Sequence, residues 1–141
     1  MERKPKNDVY VKPMPRGLFL RLMKEFKRMG GKVIMDKEAE RYLDDKGAEA
    51  CTLNAETILF RRKPSRAAVY EELFHVKQFR EGKIDGTLKN SYVCEIEAKK
   101  YLLNNASILG LTEIEIIATQ KSLEFYMKKL QKLEEYKYDD M

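Results

Sequence analysis

The chain has 141 residues and a formal net charge of +5, from 28 basic and 23 acidic side chains, and 43% of its residues are hydrophobic. This length fits one domain with its own core, and no apolar run approaches the length of a membrane-spanning helix. The charged start Met1–Lys6 is not followed by the apolar stretch of a signal peptide.

The predicted elements of the first half are an extended arm, a helix, a strand, a second helix and a hairpin. Prolines at positions 5, 13 and 15 indicate an extended arm over residues 1–15, so we expect a single domain over residues 16–141. The spacing of apolar residues predicts where the other helices and strands lie, with Asp36 as an N-cap and glycines as helix stop signals. These are a helix Leu18–Met29, a strand Lys32–Met35, a helix Lys37–Lys46, and hairpin strands Ala48–Leu53 and Thr57–Arg61.

Three further helices are predicted in the second half. The first begins at the N-cap Ser65, and the second spans Ser91–Leu103. A capping box from Thr112 to Glu115 starts the third, in which apolar residues recur every seven positions as far as about Tyr136. We expect this long C-terminal helix to pack on an α+β fold with a small, partly antiparallel sheet and about five helices.

The only histidine of the chain, His75, lies in the helix that begins after Ser65, within the segment YEELFH. The spacing matches the HExxH motif, in which two histidines one turn apart bind zinc and the glutamate after the first acts as general base. Here Glu71 stands in place of the first histidine, Glu72 in place of the base, and His75 in place of the second histidine. The pattern therefore predicts a metal site, with an ordinary polar pair of Glu71 and His75 as the alternative.

A third ligand is expected from the next helix, in the segment EIEA. Glu97 shares a helical stripe with Val93 and Tyr101, which predicts that it faces the first helix. Glu95 has Lys99 four residues later, the spacing of a solvated surface pair, and is kept as the fallback ligand. The alternative to a ligand role for Glu97 is that it pairs with a lysine. The predicted metal ligands are therefore Glu71, His75 and Glu97, with an open position for water.

The segments YEELFH and EIEA resemble the zincin-like metallopeptidase toxin domains found at the C-termini of bacterial polymorphic toxins. The similarity covers about residues 30–135 and includes Gly30-Gly31, Tyr42-Leu43, Gly47–Ala50, Ile58-Leu59, Pro64–Arg66, Gln78, Gly82-Lys83 and Leu111-Thr112. The resemblance implies a zincin-like fold, a protein or peptide substrate, a cognate immunity protein, and Glu97 as third ligand. It also implies a chain that is cytoplasmic as folded, or secreted as part of a larger toxin.

In the expected mechanism the three ligands hold zinc or another divalent ion. The ion lowers the pKa of a bound water molecule and polarises the scissile carbonyl group. Glu72 takes the proton and passes it to the leaving amine. Gln78, close to one turn after His75, is expected to orient a ligand. Tyr101 or another nearby tyrosine is a candidate for stabilising the oxyanion, because the chain has no second histidine.

Two other functions remain open at this point. The departure from HExxH at Glu71 favours a non-catalytic binding module with the zincin fold. Basic clusters near the N-terminus and at residues 61–66 permit a nucleic-acid-targeting effector, although aromatic residues are not interleaved with them, so nucleic acid is not the expected partner. We expect no membrane partner, and the spacing of Cys51 and Cys94 predicts no disulfide framework.

Overall fold

The computed structural model describes residues 11–139, with side chains as far as Tyr136. The elements within these residues are α1 (Arg16–Arg28), β1 (Lys32–Ile34), α2 (Lys37–Lys46), β2 (Ala50–Asn54), β3 (Thr57–Phe60), α3 (Arg66–Arg80), α4 (Leu88–Asn104), α5 (Ala106–Leu109) and α6 (Glu113–Asp139). The predicted α+β class with a long C-terminal helix is confirmed. A short helix, α5, adds a sixth to the predicted five.

The sheet has three strands in the order β1-β3-β2, with β3 parallel to β1 and antiparallel to β2. Side chains of β3 alternate between its two faces, as a strand requires. Ile58 and Phe60 are fully buried in a cluster with residues of α1 and α3, whereas Leu59 packs against α2 on the opposite face. The predicted hairpin of β2 and β3 is confirmed, and β2 forms an edge of the sheet.

The residues that precede α1 are attached to the start of α3. Met14 is 5% exposed, and its backbone N–H donates to the carbonyl oxygen of Pro64 at 2.9 Å. Pro13 forms an isolated bridge with Ser65. The end of the predicted arm is thus packed on the domain, and residues 1–10 lie outside the described residues.

Helix α3 occupies the centre of the fold, between β2 and α4. It begins at the predicted N-cap, where Ser65 Oγ accepts from the backbone N–H of Ala68 at 3.1 Å. Helix α4 starts at Leu88, earlier than predicted, because Thr87 caps it. It packs against α3 and also against α6, so it has two covered sides. This double packing decides which of its residues reach the candidate site.

Helix α6 is joined to the start of α3 by one carboxylate. The predicted capping box is confirmed, with Glu115 N–H donating to Thr112 Oγ1 at 3.2 Å. The Glu115 side chain also accepts from the backbone N–H of Ala67 at 2.7 Å. Of the α6 side chains described, as far as Tyr136, the buried ones are the polar residues Glu115, Thr119 and Ser122. The apolar residues of the predicted seven-residue repeat, Ile116, Leu123 and Leu130, are half-buried. Between residues 11 and 139 no helix has both the length and the apolar character needed to cross a bilayer.

Candidate metal centre

Three potential metal ligands meet where α3 packs against α4. Glu71 and His75, one turn apart on α3, are each 8% exposed. Glu95 on α4 completes the group, and one ligand atom from each residue lies within 4.8 Å of the other two. Two carboxylates and an imidazole form a donor set that suits zinc or manganese.

Glu97 is not part of this group, which corrects the sequence prediction. Its side chain is 40% exposed, and its Oε2 lies 3.8 Å from Lys83 Nζ. The buried residues of α4 include Cys94, Ala98 and Leu102, spaced four apart, and Glu95 lies next to that stripe. The phase was mispredicted because a helix covered by two neighbours carries apolar residues on more than one side.

A buried lysine lies within the same group, and this was also missed from the sequence. Lys99 is 2% exposed; its Nζ forms an ion pair with Glu71 Oε1 and lies 3.2 Å from Glu95 Oε2. The Glu95–Lys99 spacing was interpreted as a surface pair, but both residues lie against α3. Burying an ammonium group is costly unless carboxylates pair with it, as they do here.

The orientation of the His75 ring is fixed by Gln78. Nδ1 of His75 lies 2.7 Å from Gln78 Oε1, and Gln78 Nε2 donates to the carbonyl oxygen of Cys94 at 3.0 Å. Because that carbonyl can only accept, the amide oxygen must face His75, and Nδ1 carries a hydrogen. Nε2 is left to face Glu95 Oε1 at 3.0 Å, which makes it the ring nitrogen available to a metal.

The pKa of His75 in this metal-free arrangement is raised to about 9. Burial lowers this pKa, but the hydrogen bond and the negative charge of Glu95, followed by the charge of Glu72, raise it further than burial lowers it. At neutral pH the imidazole is therefore protonated, and its positive charge faces Glu95.

Glu72 is buried beside the group and bound to the edge strand. Its Oε1 accepts hydrogen bonds from both the backbone N–H and the hydroxyl of Thr52, each at 3.0 Å. The same hydroxyl lies 3.0 Å from the Glu72 carbonyl oxygen. Thr52, which the sequence did not single out, therefore fixes the carboxylate that occupies the general-base position.

Two cavities meet at Glu71 and Glu72. The larger, of ≈ 610 Å³, lies toward α6 and is also lined by Lys99 and Ser122. The smaller, of ≈ 450 Å³, lies on the His75 side of the same pair. Both sides of the candidate centre are therefore next to space that could admit a substrate.

Two aromatic residues near α4 have different surroundings. The Tyr101 ring stacks on Phe74, with centroids 4.7 Å apart, and Tyr101 lines neither of these two cavities. The structure therefore does not place Tyr101 at the centre, as the oxyanion role requires. Tyr126 of α6 lines the smaller cavity, and Lys99 Nζ is 5.7 Å from its ring centroid. Of the tyrosines near α4, it is therefore Tyr126 of α6 and not Tyr101 that lies beside the group.

A nucleophilic cysteine does not explain the site. Cys51 and Cys94 are free thiols, and both line the smaller cavity. Burial raises the pKa of Cys51 to about 11, with further contributions from the charges of Glu72 and Glu95. Because the thiolate is the reactive form, a thiol with this pKa is poorly suited to attack a substrate.

No protein-family model, curated protein or solved structure matches this chain. The fixed orientation of the His75 ring and the convergence of two carboxylates fit a divalent cation once Nε2 has lost its proton, while the Lys99 ammonium already pairs with both carboxylates.

Proposed function

We propose that this chain is a metal-dependent peptidase-like domain, in which Glu71, His75 and Glu95 hold a zinc ion or another divalent ion. The observation that carries the proposal is the convergence of these three buried ligands, with Nε2 of His75 directed toward Glu95. A role as a toxin effector is supported by the sequence resemblance described above. Glu95 replaces Glu97 in the ligand set.

The chain's own residues have separate tasks in this proposal. When bound, the divalent ion supplies Lewis acidity, which acidifies water and polarises a carbonyl group. Glu72 accepts a proton and delivers it to the leaving amine, and Thr52 holds its carboxylate in place. Gln78 keeps His75 in the tautomer whose Nε2 can bind a metal. The adjoining cavities provide space for a protein or peptide substrate.

The first test is zinc titration by calorimetry, with a matched pair of variants on α4. Glu95→Gln and Glu97→Gln make the same chemical change two residues apart. We expect one zinc ion per chain in the wild type and in Glu97→Gln, and loss of binding in Glu95→Gln. Binding that survives in Glu95→Gln but is lost in Glu97→Gln would restore the original sequence prediction.

The second test is hydrolysis of a quenched fluorescent peptide library with and without zinc. Glu72→Gln should keep zinc binding and lose hydrolysis, because it removes the base without removing a ligand. Loss of zinc in this variant would reassign Glu72 as a ligand. Full hydrolysis by the variant would contradict the proposed mechanism.

One observation favours a second function, a non-catalytic binding module. Lys99 pairs with Glu71 and Glu95, and His75 also faces Glu95, so the chain itself supplies positive charge to both carboxylates. In that case the cluster only joins α3 to α4, and the wild-type protein binds no divalent ion. The zinc titration therefore distinguishes the two functions directly.

A further inference from the structure

We infer that Lys99 occupies the cation position of the centre in the metal-free protein and must leave it when a divalent ion binds. This lysine would then set the affinity of the site for metal. The inference rests on the proposed metal centre for its ligand, but it concerns a residue that is not a ligand and can be tested apart from hydrolysis.

Lys99 and a divalent ion bound at the centre would share the same two partners, Glu71 and Glu95. The Lys99 ammonium pairs with Glu71 Oε1 and lies 3.2 Å from Glu95 Oε2. These carboxylates supply two of the three ligands in the proposed centre. A divalent ion bound by them would lie next to the ammonium in a buried site, where like charges repel strongly. The ion and the ammonium therefore compete for the same carboxylates.

The larger cavity offers a destination for the displaced Lys99 side chain. Lys99 lines the ≈ 610 Å³ cavity between α3 and α6, and Ser122 lines the same cavity. Ser122 is 9% exposed, and among the described residues its buried hydroxyl has no hydrogen-bond partner. A hydroxyl oxygen can accept from an ammonium group. The cavity thus offers both space and an acceptor to Lys99 on the side away from His75.

The test is zinc titration of Lys99→Met, with Lys100→Met as control. Lys100 is exposed and adjacent on α4, so both variants lose one charge from the same turn. We expect Lys99→Met to bind zinc about tenfold or more tightly than the wild type, since unpaired buried carboxylates gain most from a cation. Lys100→Met should bind like the wild type. Equal or weaker binding by Lys99→Met would overturn the inference.

Thermal unfolding gives a second measurement. Lys99→Met should melt well below the wild type in chelator, and zinc should raise its Tm more than it raises that of the wild type. If the variant folds only with zinc, the inference is supported; if it folds under neither condition, the inference is overturned.

The outcomes separate this inference from the proposed function. Zinc binding by Lys99→Met but not by the wild type would support the role of Lys99 and contradict a metal-dependent wild-type enzyme. Zinc binding of equal affinity in both proteins would support a metal-binding wild-type protein and contradict the role of Lys99. Absence of binding in both would remove the centre and the inference together.

Ser122→Ala provides an independent check on the destination. It removes the hydroxyl and leaves the rest of the side chain in place. We expect its zinc affinity to fall by a few-fold, because the displaced ammonium loses an acceptor. An unchanged affinity, together with tighter binding by Lys99→Met, would contradict Ser122 as the acceptor.

Discussion

His75 Nδ1 and Gln78 Oε1 are 2.7 Å apart, and this contact determines which ring nitrogen faces Glu95. Gln78 is 1% exposed and is itself held by the Cys94 carbonyl oxygen. The sequence predicted that Gln78 orients a ligand, and its position close to one turn beyond His75 agrees with that role. The imidazole is therefore oriented from within α3 and anchored on α4.

Replacing Gln78 should weaken metal binding without removing a ligand. We expect Gln78→Ala to lower zinc affinity by about 10- to 100-fold, the usual effect of losing a group that orients a metal ligand. Calorimetry of the variant measures this effect. Gln120→Ala, at an exposed position of α6, is the control and should leave the affinity unchanged. Wild-type affinity in Gln78→Ala would show that the ring needs no such support.

Thr52 should affect hydrolysis more than metal binding. Thr52→Val keeps the side-chain shape and the backbone N–H but removes the hydroxyl that donates to Glu72 Oε1. We expect kcat to fall by roughly tenfold while zinc affinity stays the same, because only the proposed base loses its support. Thr57→Val makes the same change on the neighbouring strand β3. A lower zinc affinity in Thr52→Val, but not in Thr57→Val, would contradict this division of roles.

The pH dependence of metal-free stability should report on His75. Its pKa is about 9 in the folded protein against an ordinary 6.5, so the protonated ring stabilises the fold. This contribution is fully present below pH 6.5, declines as the pH rises, and is lost above about 9. Urea unfolding in chelator should therefore show a difference between the wild type and His75→Gln that shrinks from roughly pH 6 to pH 10. A difference that grows with pH would contradict the protonated state.

Glu115 should matter for stability because it links two helix starts. Its carboxylate accepts from Thr112 N–H at 3.1 Å and from Ala67 N–H at 2.7 Å, and the residue is 2% exposed. Leaving a buried N–H group without an acceptor costs about 1–3 kcal/mol. Since these two N–H groups are partly buried, Glu115→Ala should lose about 1–3 kcal/mol of unfolding free energy in total. Chemical denaturation measures this loss, with exposed Glu113→Ala as the control. Equal stability of the two variants would show that the links contribute little.

Local signals in the sequence were sufficient where the chain determines its own conformation. Asp36 accepts from the Ala39 N–H at the start of α2, and Gly47 adopts a left-handed φ of 66° at its end, so the bounds of this helix were predicted correctly. The spacing of Glu71 and His75 likewise follows from one turn of α3. Both results depend on residues a few positions apart.

The parts of the site that depend on packing between helices were predicted only in part, since Glu97 was preferred as the third ligand and Glu95 was the fallback. Glu95 and Glu97 differ only in phase on α4, and α4 is covered by both α3 and α6, so periodicity could not select the side facing the site. Lys99 was missed for a related reason: the same spacing from Glu95 describes a solvated pair or a buried one. A signal that points to burial is Leu102, three residues after Lys99 and on the same side of the helix.

The most direct test of the metal centre is anomalous X-ray diffraction at the zinc absorption edge, from crystals of protein purified with zinc and without chelator. We predict one strong peak per chain, within bonding distance of Glu71, His75 Nε2 and Glu95, with the Lys99 side chain turned toward Ser122. A fully occupied peak elsewhere, or no peak while Lys99 remains paired with Glu71 and Glu95, would contradict the proposed centre.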